Sequence, residues 1–274
     1  MMLVKLLIHL FVKDSQYPER PHVRLAYGIL AGSVGIAINF LLFCIKLTVG
    51  LLSGSIAMAA DAVNNLSDAG SSVVSVLGFK LSSKPADNEH PFGHGRLEYV
   101  AGVIVAVIIV SVGIDFLKES VLRIFSPSVL HADNLAIGIF AGTLLFKVWL
   151  FVFYRAIGRR IDSKILKAAA FDSLSDLLTT SVVLGAVSAA RFTSFPVDGC
   201  AGVAVAGFVI LGGFGILRDT INPLVGEIPD KALVEELEKR LLACKGICGV
   251  HDIILHNYGP NHYFATAHAE VNRD

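Results

Sequence analysis

Charge is what this chain has least of. Asp, Glu, Lys and Arg make up 17% of its 274 residues against 54% hydrophobic, and the 23 acidic and 23 basic side chains cancel. With no net charge there is no bulk field to gather nucleic acid, so that class of partner is excluded as a main role. So little charge at this length also argues against a soluble domain and for a chain that lives in a lipid bilayer. Cysteine is scarce too, with four residues. Cys44 and Cys200 fall in apolar runs and read as small packing side chains. Cys244 and Cys248 are too widely spaced for the usual two-residue metal or redox gap, and they read as reduced thiols, with a metal role as the alternative. A cleavage site of small residues is missing after the apolar run 1–11, which gives way to polar residues 13–24. That run reads as an interfacial segment rather than a removable signal peptide.

What is present in quantity is apolar sequence in long runs. A spanning helix needs roughly 20 mainly apolar residues, and six stretches qualify: 27–52, 55–79, 97–117, 135–153, 165–190 and 197–217. The first, third, fourth and sixth are strongly apolar. Ser, Asn and Asp dilute the second and fifth, as suits helices facing protein rather than lipid. Basic residues gather in alternate connections. Lys5, Lys13, Arg20 and Arg24 precede the first span; Lys80, Lys84 and Arg96 follow the second; Arg155, Arg159, Arg160 and Lys164 follow the fourth; Arg218, Lys231 and Lys239 follow the sixth. The positive-inside rule then puts both termini in the cytoplasm, in agreement with an even number of spans.

Beyond residue 217 the hydropathy falls. Asn222-Pro223 and Ile228-Pro229 are breakers and read as a linker. Residues 231–244 form an amphipathic helical pattern with Leu233, Leu237 and Leu241 on one face. Two strand-like runs follow, 250–256 and 263–271, with the turn composition Asn-Tyr-Gly-Pro-Asn between them. One helix and two strands bury little core alone, so this unit either pairs with another copy or belongs to a longer domain.

The chemistry sits in two polar pairs of equal spacing, Asn64 with Asp68 and Asp172 with Asp176. Residues four apart share a helix face, and carboxylates at membrane depth usually mark an ion pathway or proton relay. If the two helices face each other, the four side chains make an oxygen-only cage of the kind hard divalent cations prefer. Interhelical hydrogen bonding is the alternative, natural for Asn and Ser. Three carboxylates with no adjacent Lys or Arg, however, lack compensation. Asp61, one turn before Asn64, reads as a cap or hydrogen-bond acceptor. Lys46 and Lys147 lie inside spans and read as snorkelling or as pairing with Asp115 or Asp198.

Three stretches carry a resemblance: Ser53-Gly54-Ser55-Ile56-Ala57 running on to Asn64 and Asp68, then Asp87-Asn88-Glu89-His90-Pro91-Phe92-Gly93-His94-Gly95-Arg96, then Asp172 to Asp176. In these the chain resembles the cation diffusion facilitator family, and the manganese-type subgroup within it. The resemblance implies an all-α polytopic membrane protein of six transmembrane helices. A short α+β ferredoxin-like cytoplasmic domain, incomplete in this chain, would follow them. The expected domains are a cytoplasmic segment over 1–24, the transport domain over 25–221 and the cytoplasmic domain over 222–274. It further implies a homodimer in a cell membrane of bacterial type that exports divalent metal in exchange for protons. Asn64, Asp68, Asp172 and Asp176 would be its transport site.

Zinc members of such a family typically place His among these four positions, and here there is none. Oxygen donors suit Mn2+, whereas imidazole and thiolate favour Zn2+. The expected cargo is therefore Mn2+, with Zn2+ or Fe2+ as the alternative, and protons that compete for the same oxygens are the counter-ion. The resemblance also places an accessory metal site at Asp87, His90 and His94, against a simple turn packed on Pro91 and Gly93 with Arg96 and Glu98 paired nearby. A cytoplasmic site at His251 and His268, with His256 and His262 as further candidates, would draw on residues this chain does not contain. Two other classes share these features: an intramembrane aspartyl protease, disfavoured by the doubled pairs and the lack of a Gly-x-Gly-Asp run, and a metal sensor that does not transport.

Overall fold

The computed structural model describes residues 2–53, 56–125, 134–189, 197–227, 231–260 and 262–272. Eight helices and one hairpin follow each other along the described chain: α1 Met2–Phe11, α2 Pro21–Ser53, α3 Ile56–Ser82, α4 Leu97–Phe125, α5 Asn134–Arg160, α6 Lys164–Ala189, α7 Val197–Val225, α8 Lys231–Leu242, β1 Ile247–Gly259 and β2 His262–Val271. Gly54 and Ser55 of the quoted motif and Ile228-Pro229 of the expected linker lie outside the described residues.

Helices α2, α4, α5 and α7 contain segments long and apolar enough to cross a membrane. These are the four strongly apolar runs of the sequence. Helices α3 and α6, of 27 and 26 residues, have the length but not the apolarity. Neighbour packing closes a ring in the order α2, α3, α4, α7, α6, α5, with α3 and α6 meeting across it. The two polar helices therefore touch both ring neighbours and each other, where Asp61, Asn64, Asp68 and Asp176 find partners. Most of their Ser hydroxyls donate instead to the carbonyl one turn back in the same helix. The outward faces carry apolar residues that stay exposed, among them Phe40, Leu77, Val107, Leu145, Leu211 and Phe214. Such a face suits lipid, where apolar exposure costs nothing.

Close approach of α2 to α3 depends on missing side chains. A Cβ at Gly28 would meet the Phe79 ring, one at Gly32 the Val76 side chain, and one at Gly35 the Tyr154 hydroxyl and Ser72. Glycines at such spacing let two backbones approach within a bilayer. The main core gathers Tyr27, Phe79, Phe153, Ile157, Ile165 and Leu166 at the end of the ring where α5 and α6 join. Helix α1 lies against that core through Val4 and leaves Leu3, Leu6, Leu10 and Phe11 exposed. This two-faced disposition fits the interfacial reading of residues 1–11.

A buried polar knot ties this end together. Arg24 of α2 donates to Glu98 Oε1 at 2.7 Å, and Ser163 donates to the same oxygen at 2.8 Å. Glu98 is thus not the partner of Arg96. Arg96 instead donates through Nε to the carbonyl of Asn257 at 3.0 Å and stacks over Tyr258. Sequence proximity suggested the first pairing, but neighbours in the chain at a helix start point in different directions.

The hairpin is longer than the strand pattern predicts. β1 begins at Ile247, and Asn257 and Gly259 still pair with Tyr263 and His262, so the turn is shorter than residues 257–261. Asp252, at φ 53°, marks a bulge between His251 and Ile254, where one extra residue bends the strand. Every residue of β2 is exposed and α8 buries none, as expected of a unit too small for its own core.

Candidate functional site

Helix α3 turns Asn64 and Asp68 to one side, and α6 turns Asp172 and Asp176 toward them. Oxygens of Asp68, Asp172 and Asp176 lie within 4.8 Å of one another. The Asn64 amide reaches Asp176 Oδ1 at 3.5 Å. All four sequence-derived candidates meet in one cluster. It sits in the polar seam where α3 and α6 face each other, with Asp68 buried.

Two further members come from helices that carry no acidic residue nearby. Lys147 of α5 donates to Asp68 Oδ2 at 2.7 Å, to Asp176 Oδ2 at 2.5 Å and to Asn39 Oδ1 of α2 at 3.0 Å. This corrects two expectations. The carboxylates do have an adjacent cation, and Lys147 neither snorkels nor pairs with Asp115, which is held by Lys118 at 2.9 Å. The side chain of Asp198 lies outside those described. A signal existed in the sequence: α5 contains no Asp or Glu, so a buried ammonium there must find its carboxylate on another helix. By the same logic Lys46 of α2 pairs with Asp61 at 2.5 Å, one turn before Asn64. Behind the cluster, Ser72 donates to the Asp68 carbonyl and contacts the Tyr154 hydroxyl, joining α3 to α5.

A second group lies in the loop between α3 and α4. Ligand atoms of Asp87, His90 and His94 come within 4.8 Å of one another. Asp87 Oδ1 accepts from the backbone N–H of His90 at 2.7 Å and of Glu89 at 3.1 Å. The His90 bond above all holds this exposed carboxyl below its ordinary range, because it favours the ionised form. His94 Nδ1 sits 3.1 Å from the Pro85 carbonyl, and its Nε2 is 3.5 Å from Asp87 Oδ2. A carbonyl only accepts, so Nδ1 turns a proton toward it, which sets Nε2 on the side of the Asp87 carboxylate. Orientation of a ring nitrogen in this way is common for metal-ligating His. The donor set, one carboxylate and two imidazoles, fits a transition metal.

A third group is on the hairpin. His251 and His268 are direct cross-strand partners, and Asp252 joins them with ligand atoms within 4.8 Å. Asp252 Oδ2 is 3.2 Å from His268 Nδ1, and His251 Nδ1 is 3.5 Å from Glu270 Oε1. Periodicity alone misses Asp252, because only the bulge turns it to the face of His268. His256 and His262 belong to no such group among the described residues. Cys244 and Cys248 are exposed free thiols and likewise join none there.

The loop and the hairpin are clamped together. Tyr99 donates to Asn257 Oδ1 at 3.2 Å, Phe92 packs on Tyr258 and Phe264, and the backbones of Gly95 and Gly259 approach closely enough that a Cβ on either would collide.

Residues 33–225 match the cation efflux transmembrane domain. An uncharacterized transporter of Methanocaldococcus jannaschii is 30% identical over 233 residues, covering 85% of this chain and 82% of its own. The manganese efflux system protein MneS of Bacillus subtilis is 27% identical over 240 residues, covering 87% and 80%. The cation efflux system protein CzcD of an Alcaligenes species is 27% identical over 206 residues, covering 74% and 64%.

Proposed function

Because the chain belongs to the cation efflux family, a family of metal-transporting membrane proteins, we propose that it is a Mn2+/H+ antiporter that exports the ion by alternating access. Its transport site is Asn64, Asp68, Asp172 and Asp176. The observation that carries this reading is the meeting of three carboxylates and one amide, with no imidazole or thiolate, at the seam of α3 and α6. Oxygen donors suit Mn2+ better than the softer ligands suit it, and water or backbone carbonyls would complete a shell that four side chains do not fill. The name of MneS as a manganese efflux system protein supports the same cargo. Metal and protons compete for these oxygens, so two loaded forms that favour opposite-facing conformations suffice for exchange. In this reading α2 to α7 are six spans, residues 1–24 and 222–274 lie in the cytoplasm of a bacterial cell, and the protein works as a homodimer. Asp87, His90 and His94, and more weakly His251, Asp252 and His268, are accessory metal sites.

Metal uptake into inverted vesicles under a pH gradient tests this, with Mn2+ and Zn2+ compared and Asp68→Ala alongside. Gradient-dependent Mn2+ flux that vanishes in the variant is the expected result. Zn2+ flux without Mn2+ flux would overturn the assignment of cargo. The ion pairs to Lys147 favour a second reading, in which the acidic cluster is only a polar joint between helices. Full Mn2+ flux in Asp68→Ala would establish that reading instead.

A further inference from the structure

We propose that Lys147 is a tethered counter-cation that competes with the transported ion for Asp68 and Asp176. Its departure from these carboxylates admits the metal, and its return expels it. This rests on the transport site proposed above. An ammonium has three N–H donors, and here all three are used, on Asp68 Oδ2, Asp176 Oδ2 and Asn39 Oδ1. The lysine side chain is 6% exposed, so among the described residues these three oxygens are what satisfies it. It therefore engages one carboxylate from each of the two helices that form the cage, at the place where a divalent ion would bridge them.

The two cations exclude each other at that place. Metal–oxygen bonds run about 2.0–2.6 Å. An ion bound to Asp68 and Asp176 would therefore sit almost on the ammonium and meet its charge at short range in a poorly screened interior. A lysine is suited to such an exchange, being a compact charge on a flexible four-carbon stem. Asn39 marks a way out. Its Oδ1, on α2, already accepts one N–H, so an ammonium that leaves Asp68 and Asp176 can keep that hydrogen bond. Charge favours the trade as well. When all three carboxylates are ionised they carry −3, the lysine brings this to −2, and the divalent ion replaces the lysine at Asp68 and Asp176 with twice its charge. The device sets affinity: a built-in competitor keeps the ion from being held so tightly that it is never released.

The test is Mn2+ binding to the purified full chain in lipid nanodiscs by titration calorimetry, together with Mn2+ flux in vesicles. Wild type, Lys147→Gln, Lys147→Met, Lys147→Arg and Asp68→Asn are compared, each checked for a monodisperse folded state. Removing the charge is expected to tighten Mn2+ binding by about tenfold or more and to slow flux, while Lys147→Arg returns affinity to the wild-type side. Gln keeps hydrogen-bond donors for Asp68 and Asp176, so it serves if the Met variant does not fold. Binding that is unchanged or weaker in Lys147→Gln, with Asp68→Asn abolishing it, overturns the competition and leaves the site standing. Binding that Asp68→Asn does not weaken overturns the site itself, and the role of Lys147 with it.

Discussion

Loss of Arg24 from its buried pair with Glu98 is expected to destabilise the fold strongly. Glu98 is 1% exposed, and a single oxygen, Oε1, accepts from both Arg24 and Ser163. Arg24→Ala takes away the charged donor and leaves the carboxylate with one neutral hydroxyl. Breaking a buried ion pair from one side costs about 3–5 kcal/mol, because the remaining charge is stranded. For a chain of this size roughly 2–4 °C of Tm goes with each kcal/mol, so the expected fall is about 6–20 °C. The intact pair has a smaller net worth, since Arg24 Nη1 is itself buried and has no hydrogen-bond partner among the described residues. Replacing both residues by apolar ones of similar length, Arg24→Met with Glu98→Met, is therefore expected to recover much of the loss. Thermal unfolding in detergent, followed by intrinsic fluorescence or size-exclusion loss, reads both values. A single-variant shift below about 3 °C, or a double variant no better than Arg24→Ala, would refute the reasoning.

Two other perturbations follow from the packing. Gly35→Val places a branched side chain where a Cβ already meets Tyr154 and Ser72. It is expected to cost roughly 1–3 kcal/mol by overpacking, read as a lower Tm, with Mn2+ flux falling as α2 is pushed off α3. Asn257→Ala removes the acceptor for Tyr99 and for the Gly259 N–H. Each lost partner is worth about 1 kcal/mol. Amide exchange is expected to speed up across the tip of the hairpin and in the loop 87–96, while the transmembrane helices keep their protection.

Much of the site can be read from local spacing alone. Asn64 and Asp68, and Asp172 and Asp176, share helix faces because a helix repeats every 3.6 residues. The dilution of residues 55–79 and 165–190 by polar side chains marks them as facing protein. Structure confirms that these helices meet, and it adds what spacing cannot carry. Lys147 lies 79 residues from Asp68 and 29 from Asp176, and Asn39 lies 108 from Lys147. No periodicity links positions so far apart. The acid-free α5 requires a distant partner for Lys147 but does not say which carboxylate. Arg96 and Glu98 show the opposite case, in which nearness along the chain suggests a pair that helix geometry separates.

By itself, then, the sequence determines the apolar helices, the oxygen-only character of the tetrad, the His-Pro-Phe-Gly-His loop and a C-terminal unit too small for a core. These follow from composition and short-range periodicity, which act within one or two helical turns. Only the tertiary structure decides that α3 and α6 face each other inside the ring, and that Lys147 and Asn39 complete the acidic cluster. It alone aims Asp252 at His268 through a bulge and clamps the hairpin to the loop 87–96. Each of these is a contact between distant segments. Such contacts are fixed by which buried charge finds an opposite partner and which backbones glycine lets approach, and no single segment contains that information.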